Sequence, residues 1–221
     1  MTASASRQMQ ASVDVEQVQL HFNHSASTYK AGAQLQRKVG LKLLHHLSSQ
    51  KKNLCLDLGC GPGLFVDELN RRFAHVVGAD LSINMLKCNN TQVKKVQTDG
   101  HALPFSDTCF DAVYSSLMVQ WCELPRVLRE IHRVVKPKGE VVLSTLVAGT
   151  LNELQSAWAA TDDDEHVHRY LQPEQIKDAI AQLPWHQTEF QCATEVFWHD
   201  SARELAKELK SLGANYVESR R

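Results

Sequence analysis

The hydrophobic pattern is most regular at residues 54–58, where four of five side chains are apolar and Asp57 is the one charged residue. Such a run is typical of a strand that is covered on both faces, as in a parallel sheet. Further strand-like segments follow at residues 75–79, 93–97, 110–116 and 140–147. The pattern predicts an α/β fold with a central, mostly parallel sheet and helices on both faces.

Helical spacing of apolar residues, at intervals of three and four, covers residues 15–47, with a break expected near His24. This stretch either covers the sheet or forms a lid that lays Tyr29 over a bound ligand. Ser82 has the character of an N-cap and predicts a helix after the second strand. Further helices are expected at residues 64–73, 124–135 and 201–212.

The chain length and the hydrophobic pattern after residue 150 predict one domain over residues 15–221. Within it, residues 150–186 are expected to form a helical insertion over the active site, and residues 187–199 alternate as a half-exposed strand does. Residues 1–14 are rich in Ser, Ala and Gln and predict a disordered N-terminus without a signal peptide. No apolar run is long enough to span a bilayer, so no membrane association is expected.

A glycine-rich turn follows the first strand, and residues 56–63 read Leu-Asp-Leu-Gly-Cys-Gly-Pro-Gly. Its glycines allow a sharp turn and a close approach of the backbone to a ligand. The spacing is shorter than that of the dinucleotide fingerprint, and Pro62 has no N–H to offer a pyrophosphate. The carboxylate of Asp57 beside the turn favours a cationic ligand instead.

Asp80 ends the second predicted strand, nineteen residues after Gly61, where a carboxylate can accept both ribose hydroxyls of an adenosine. A third acid, Asp99, follows the third strand and can meet the adenine edge. Three acids at the carboxyl ends of three successive strands favour S-adenosylmethionine, which carries ammonium and sulfonium groups, over a ligand-free turn. The predicted cofactor-binding residues are Asp57, Gly59, Cys60, Gly61, Asp80, Leu81, Met85, Asp99, Gly100, His101 and Ser116.

Composition narrows the choice of partners. Lys and Arg total 24 against 25 Asp and Glu, so no overall charge points to nucleic acid or a membrane. The six cysteines form no C-x-x-C pair and are expected to be reduced, as in a cytoplasmic protein. His is frequent but lacks companion ligands at metal-binding spacing, so no metal is expected.

Basic residues form a stripe on the outer face of the helix predicted at 124–135. This stripe is either a solvated face or a docking surface for an acidic partner. The candidate partner-binding residues are Arg126, Arg129, Arg133 and Lys136, together with Lys207 and Lys210 on the last helix.

The turn at residues 56–63, with Asp80 and Asp99 behind it, resembles that of the class I S-adenosylmethionine-dependent methyltransferases, whose fold is Rossmann-like. More discriminating are residues 117–122 (Leu-Met-Val-Gln-Trp-Cys) and 133–139 (Arg-Val-Val-Lys-Pro-Lys-Gly), and, in the first helix, Phe22 with Tyr29 and residues 34–36. Together with residues 145–151, 169–171 and 209–214, they resemble the malonyl-acyl-carrier-protein O-methyltransferases of biotin synthesis, the BioC family. The resemblance extends over residues 18–221.

The resemblance implies methyl transfer from S-adenosylmethionine to the free carboxylate of a malonyl thioester, on acyl carrier protein or coenzyme A, leaving S-adenosylhomocysteine. A carboxylate is ionised at neutral pH, so no general base is expected. Tyr29, Gln120, Trp121 and Arg169 are the candidate substrate-positioning residues, with Arg169 over the sulfonium as the partner of the malonyl carboxylate. Carrier proteins present acidic helices, which the basic residues above would meet.

Two alternatives stay open: a methyltransferase of a small aromatic or quinone substrate, and a non-catalytic S-adenosylmethionine-binding scaffold. The Asn-Pro-Pro-Tyr signature of amino-methylating DNA enzymes is absent after the fourth strand, so nucleic acid is not the expected substrate. Methyltransferases of this class close the sheet with a last antiparallel strand. That strand is expected to be missing from the 221 residues.

Overall fold

The computed structural model describes residues 13–161 and 166–213. Five strands in this part of the chain form a single parallel sheet. The strands are β1 (Lys52–Leu58), β2 (Phe73–Asp80), β3 (Lys94–Gln97), β4 (Phe110–Ser116) and β5 (Val135–Ser144). Their spatial order is β3-β2-β1-β4-β5, which confirms the parallel α/β prediction.

Helices cover both faces of the sheet; three of them connect consecutive strands, and the others precede β1 or follow β5. They are α1 (Val15–Ser25), α2 (Tyr29–Gly32), α3 (Gln34–Leu44), α4 (Val66–Arg72), α5 (Ile83–Cys88), α6 (Leu124–Val134), α7 (Asn152–Ala159), α8 (Pro173–Ala181) and α9 (Ala202–Ser211). The predicted break near His24 is confirmed, because α1 ends at Ser25. The Ser82 cap is confirmed as well, since its hydroxyl accepts a hydrogen bond from the N–H of Met85. No described helix is long and apolar enough to cross a membrane.

Two apolar layers hold the helices against the sheet. On one face, α6 packs its buried Leu124, Leu128 and Ile131 against β4, and Ile176 of α8 joins them. On the other face, α3 and α4 cover β1 and β4. There the hydroxyl of the buried Tyr114 donates to the main-chain oxygen of Gly40 at 3.0 Å, which fixes α3 on the sheet.

Strand β1 lies between β2 and β4, so the chain leaves it toward one side and later returns on the other. Ligands of open α/β sheets bind at such a switch point, beside the carboxyl ends of the strands. Here those ends carry Leu58, Asp80, Gln97 and Ser116. Asp57 and Asp99 lie within two residues of the ends of β1 and β3, so the fold brings the three predicted acids, Asp57, Asp80 and Asp99, to one edge of the sheet.

Strand β5 begins earlier than the sequence pattern predicts. Val135 pairs with Phe110, and the register resumes only at Glu140, opposite Ala112. The residues between them bulge out of the ladder, and Lys138 takes a positive φ of 66°. Residues 136–139, which precede the strand predicted at 140–147, thus form an irregularity within β5.

The prediction of a strand at residues 187–199 is wrong, because this stretch forms no strand in the structure. Among the described residues, β5 pairs with β4 on one side and with no strand on the other. Glu195 instead contacts Lys38 and Lys42 of α3. Of the N-terminus predicted to be disordered, residues 1–12 lie outside the described residues, whereas Asp14 caps α1.

Candidate active site

A cavity opens at the carboxyl ends of β1, β2 and β4, under helix α1. Its empty volume is about 690 Å³, including the part that is open to solvent. Nine of the eleven predicted cofactor-binding residues line it: Gly59, Gly61, Asp80, Leu81, Met85, Asp99, Gly100, His101 and Ser116. Asp57 and Cys60 are buried and stand outside this set. We call this space the principal cavity.

The glycine turn forms the floor of the principal cavity. The N–H groups of Gly59 and Cys60 both donate to the oxygen of Ala79, at 2.8 and 3.1 Å, which ties the turn to β2. Gly61 has a φ of +52°, and a Cβ built on it meets no atom within 4 Å. The turn therefore leaves open space directly above its backbone, as a bound ligand requires.

Asp80 is held at the end of β2 by two main-chain donors. The N–H of Gly61 donates to Oδ2 and that of Ser82 to Oδ1, both at 2.8 Å. Burial raises the pKa of this carboxyl to about 6, against the lowering effect of these hydrogen bonds. The fold thus orients Asp80 beside the glycine turn, where both oxygens keep a second lone pair for a ligand.

Asp57 lies one layer behind, near the end of β1, and its side-chain Oδ2 is buried without a hydrogen-bond partner among the described residues. Burial first, and the nearby charge of Asp80 second, raise the pKa of Asp57 to about 8. A buried acceptor of this kind costs free energy unless it binds a proton or a cationic ligand. The pair of acids accordingly favours positive charge in the cavity.

Asp99 and His101 form a pair that the sequence analysis did not predict. The Nδ1 of His101 lies 2.7 Å from Oδ1 of Asp99, and the main-chain N–H of His101 donates to the same oxygen at 2.9 Å. On its other side, Nε2 of His101 accepts from the N–H of Glu123 at 2.8 Å. Both ring nitrogens are therefore occupied.

Aromatic rings close the principal cavity on the side of α1. The ring of Phe22 packs edge-on to Trp121, with 5.6 Å between centroids, and lies 6.5 Å from Tyr29. Tyr29 and Trp121, two of the four predicted substrate-positioning residues, both line the cavity. Burial, and then the charge of Asp80, raise the pKa of the Tyr29 phenol well above its usual range, which keeps it neutral.

Leu117 follows β4 with a φ of +53°, an uncommon conformation for a branched side chain. Its N–H donates to the main-chain oxygen of Ser144, and the side-chain amide of Gln120 donates to its carbonyl at 2.9 Å. Leucine gives no local signal for this backbone conformation, so the sequence missed it. Gln120 is engaged in holding this strained turn.

Gln120 and Arg169, the other two predicted positioning residues, line a second cavity with an empty volume of about 260 Å³. Thr145, Tyr170 and Ile176 are also in its wall. The structure does not bring Arg169 to the wall of the principal cavity. The neighbouring His168 packs its ring 4.7 Å from Trp121, and its Nε2 lies 3.1 Å from the oxygen of Gln120.

The predicted basic stripe on α6 is largely engaged within the fold. Arg133 pairs with Glu130 and Asp107 and donates to the carbonyls of Leu103 and Phe105. Lys136 pairs with Asp111 at 2.8 Å, and Arg126 lies 3.5 Å from Glu123. In contrast, Lys207 and Lys210 are exposed on α9 and form no ion pair with the described residues.

No cluster of three or more His, Cys, Asp or Glu suited to a metal ion occurs in the described ranges. All six cysteines are unbridged. The cavity wall also includes Val15, Val18, Thr98, Met118 and Cys122, which the sequence analysis did not select. Apart from Thr98, whose hydroxyl bonds to main-chain oxygens of its own loop, their side chains carry no chemical signal that would separate them from core residues.

Comparison with known proteins gives a consistent set of relatives. A family model described as a methyltransferase domain matches residues 56–143. A malonyl-acyl-carrier-protein O-methyltransferase of Pseudescherichia vulneris is 36% identical over 205 residues, which are 90% of this chain and 80% of that protein. One from Hamiltonella defensa is 34% identical, covering 89% of this chain and 76% of the relative.

The biotin biosynthesis bifunctional protein BioHC of Cellvibrio japonicus is 36% identical over 93% of this chain, which spans 42% of that longer protein. Among solved structures, a chain of the complex with the Haloferax volcanii Trm112 methyltransferase activator aligns with a TM-score of 0.61 at 18% identity, over 73% of this chain and 74% of its own. The DhpI–SAM–HEP complex aligns with a TM-score of 0.59 at 16% identity, over 78% of this chain and 90% of its own. These structural likenesses establish the fold.

Proposed function

The chain belongs to the malonyl-acyl-carrier-protein O-methyltransferase family, and on that premise we propose that it methylates the free carboxylate of a malonyl thioester carried on acyl carrier protein. The methyl donor is S-adenosylmethionine. The product is a malonyl methyl ester, an early compound of biotin synthesis. The observation that carries the proposal is the principal cavity itself, where the open space above Gly61 and the buried carboxyl groups of Asp57 and Asp80 suit a cationic methyl donor.

The principal cavity fits the cofactor on its own features. The open space above Gly61 admits a ligand against the backbone, and the unsatisfied Oδ2 of Asp57 suits a cationic group nearby. Asp80 would hold the ribose hydroxyls, and the buried Met85 would lie against the base. When bound, S-adenosylmethionine supplies a sulfonium methyl group, so that the O–CH₃ bond forms as the S–CH₃ bond breaks and a neutral thioether leaves.

A carboxylate acceptor matches the chemistry of the walls. His101 already accepts a main-chain hydrogen bond at Nε2, so it cannot take a proton without losing that bond. The Tyr29 phenol remains neutral because burial raises its pKa. A phenol, quinol or amine has to lose a proton when it is methylated, whereas a carboxylate arrives already ionised and needs no base.

The remaining work of the site is alignment and exclusion of water. Tyr29, Phe22 and Trp121 cover the cavity, and the charges of carboxylate and sulfonium cancel as the new bond forms. A dry pocket favours this loss of charge over the separated ions. His168 braces Trp121 from behind; burial lowers its pKa, so its ring is neutral there.

Arg169 is our candidate for holding the malonyl carboxylate before transfer, from the second cavity that it shares with Gln120. Arg169→Ala is expected to raise KM for the malonyl substrate about tenfold or more, with a smaller change in kcat, because a grip on the carboxylate acts mainly on binding. Steady-state kinetics check this, and S-adenosylhomocysteine affinity serves as the control for folding. Unchanged kinetics would exclude Arg169 from substrate binding.

Carrier docking is assigned to α9. Its basic patch consists of Arg203, Lys207 and Lys210, which are exposed. The hydroxyl of Thr28, next to Tyr29 of the cavity wall, donates to the oxygen of Ser211 at 2.8 Å, so the end of α9 adjoins the cavity. An acidic carrier bound to this patch would sit within reach of the acceptor site.

A substrate panel tests the proposed reaction. S-adenosylmethionine labelled in its methyl group is incubated with malonyl-carrier protein, malonyl-coenzyme A, acetyl-carrier protein and a quinol. Label is expected on the malonyl substrates alone, because acetyl-carrier protein lacks the free carboxylate. Label on the quinol alone would support the small-molecule alternative, and no transfer despite cofactor binding would support a scaffold.

A further inference from the structure

His101 stands between the cavity and helix α6 with its side chain almost completely buried. Three hydrogen bonds fix it: two to Oδ1 of Asp99 and one from the main-chain N–H of Glu123. The proposed reaction leaves this arrangement without a proton-transfer role.

The hydrogen-bond partners of His101 determine where its proton lies. A main-chain N–H can only donate, so Nε2 must be the unprotonated nitrogen. The proton is then on Nδ1 and is donated to Oδ1 of Asp99 at 2.7 Å. The imidazole is thereby held as the neutral Nδ1–H tautomer.

This arrangement makes the two oxygens of Asp99 unequal. Oδ1 receives both the ring N–H and the main-chain N–H of His101, whereas Oδ2 accepts no hydrogen bond from the residues that the structure describes. Asp99 lines the cavity and its side chain is 38% exposed. An acceptor with a fixed direction is thus presented to a donor group of a ligand.

The same contacts connect Asp99, on the side of the cavity expected to hold the adenine base, to the segment that carries Trp121, on the side expected to hold the substrate. Glu123 precedes α6 and lies two residues from Trp121. Gly100 is packed so closely that a Cβ on it would lie 3.3 Å from Val127 of α6. Asp99 is therefore linked to the start of α6 through His101.

We propose that His101 is a positioning residue for base recognition: its Nδ1–H fixes Asp99 so that Oδ2 accepts the 6-amino group of adenine, and its Nε2 anchors that contact to α6. The hydrogen bond from Nδ1–H of His101 to Asp99, the donor arm of His101, sets the selectivity for an amino group over a carbonyl at position 6 of the purine. The inference uses the cofactor of the proposed function but is independent of the methyl acceptor.

The test compares the affinities of S-adenosylhomocysteine and S-inosylhomocysteine, whose base carries a carbonyl in place of the amino group. The wild-type protein is expected to prefer the adenine compound by at least about tenfold, because the carbonyl cannot donate to Asp99. Two variants separate the arms of His101. His101→Asn retains a donor near the position of Nδ1, and His101→Gln retains an acceptor near that of Nε2.

His101→Asn is expected to keep the preference within about threefold of wild type, whereas His101→Gln should reduce it to below about threefold. Calorimetry measures both affinities, and no methyl acceptor is present. Equal preference in the two variants would overturn the assignment of selectivity to the Nδ1–H arm.

A measurement on the wild-type protein guards against misfolded variants. Long-range ¹H–¹⁵N correlation spectra at neutral pH report the protonation of each ring nitrogen. A neutral His101 protonated at Nδ1 is expected, with and without S-adenosylhomocysteine. An imidazolium, or a proton on Nε2, would overturn the proposal whatever the binding data show.

Discussion

Asp57 is a carboxyl group in surroundings that oppose its charge. Its pKa of about 8, against an ordinary value of 3.8, means that the folded protein retains a proton that the unfolded chain loses. Between these two values the native state binds more protons, so the free energy of unfolding falls as pH rises from about 4 to about 8. A cationic ligand bound beside Asp57 would stabilise the ionised carboxylate and so offset this loss of stability.

Replacing Asp57 by the neutral isostere Asn should remove this loss of stability. In the absence of cofactor, Asp57→Asn is expected to raise Tm at pH 8 by about 10 to 20 °C, corresponding to about 5 kcal/mol, and to change Tm little at pH 4. Thermal unfolding across this pH range measures the difference. Parallel curves for variant and wild type would contradict the assigned pKa of Asp57.

At the residue scale, the sequence predicts groups whose position follows from their own strand. Asp57, Asp80 and Asp99 stand at or near the carboxyl ends of strands β1 to β3, and parallel pairing alone brings these ends together. The pairing of His101 with the N–H of Glu123 could not be predicted, because that donor belongs to the backbone 22 residues away. The positive φ of Leu117 has no sequence signal either.

At the element scale, α1 and α2 form the lid of the principal cavity. Asn23 joins α1 to α5: its Oδ1 accepts from the hydroxyl of Ser82 at 2.7 Å and from the N–H of Asn84 at 3.2 Å. Nearby, the side-chain amide of Gln19 donates to the oxygen of Leu81. The lid is therefore held by a few polar contacts beside the buried Val18, which is the character of an element that can open.

Asn23→Ala is expected to loosen the lid without unfolding the domain. Amide hydrogen exchange in α1 should become faster, and S-adenosylhomocysteine affinity should fall by about three- to tenfold, because two hydrogen bonds are lost. Hydrogen-exchange mass spectrometry locates the change. Exposed Gln17, on the same helix, provides the matched control as Gln17→Ala. Unchanged exchange in α1 would show that Asn23 does not anchor the lid.

The segment at residues 187–199 shows where periodicity fails as a predictor. Glu195, Phe197 and His199 are partly buried, whereas Val196 and Trp198 between them are 60% and 93% exposed. The alternation of exposure is real, but it arises from contacts of these side chains with helices α3 and α9. A strand also needs a partner for its main-chain groups, and the local pattern does not encode one.

At the scale of the whole molecule, the carrier surface can be tested by charge. Reversing Lys207 and Lys210 to Glu is expected to raise KM for malonyl-carrier protein about tenfold and to leave malonyl-coenzyme A nearly unaffected. The effect should shrink as salt is added, because exposed charges are screened.

The matched control reverses the charges of Arg126 and Arg129 on α6 by replacing both residues with Glu. A smaller effect is expected there, since Arg126 already lies near Glu123. Steady-state kinetics with both substrates distinguish the surfaces. A larger loss from the α6 variant would move the docking site to that helix, and equal losses on both substrates would indicate damage to the fold.

The central claim is that the methyl group is transferred to the malonyl carboxylate. The most direct measurement is mass spectrometry of the acyl group after incubation of malonyl-carrier protein with S-adenosylmethionine bearing a trideuteromethyl group. The account predicts one trideuteromethyl ester on the distal carboxyl, removed by mild base together with its label. Label on the central carbon of the malonyl group, on the carrier protein itself, or on no product would contradict it.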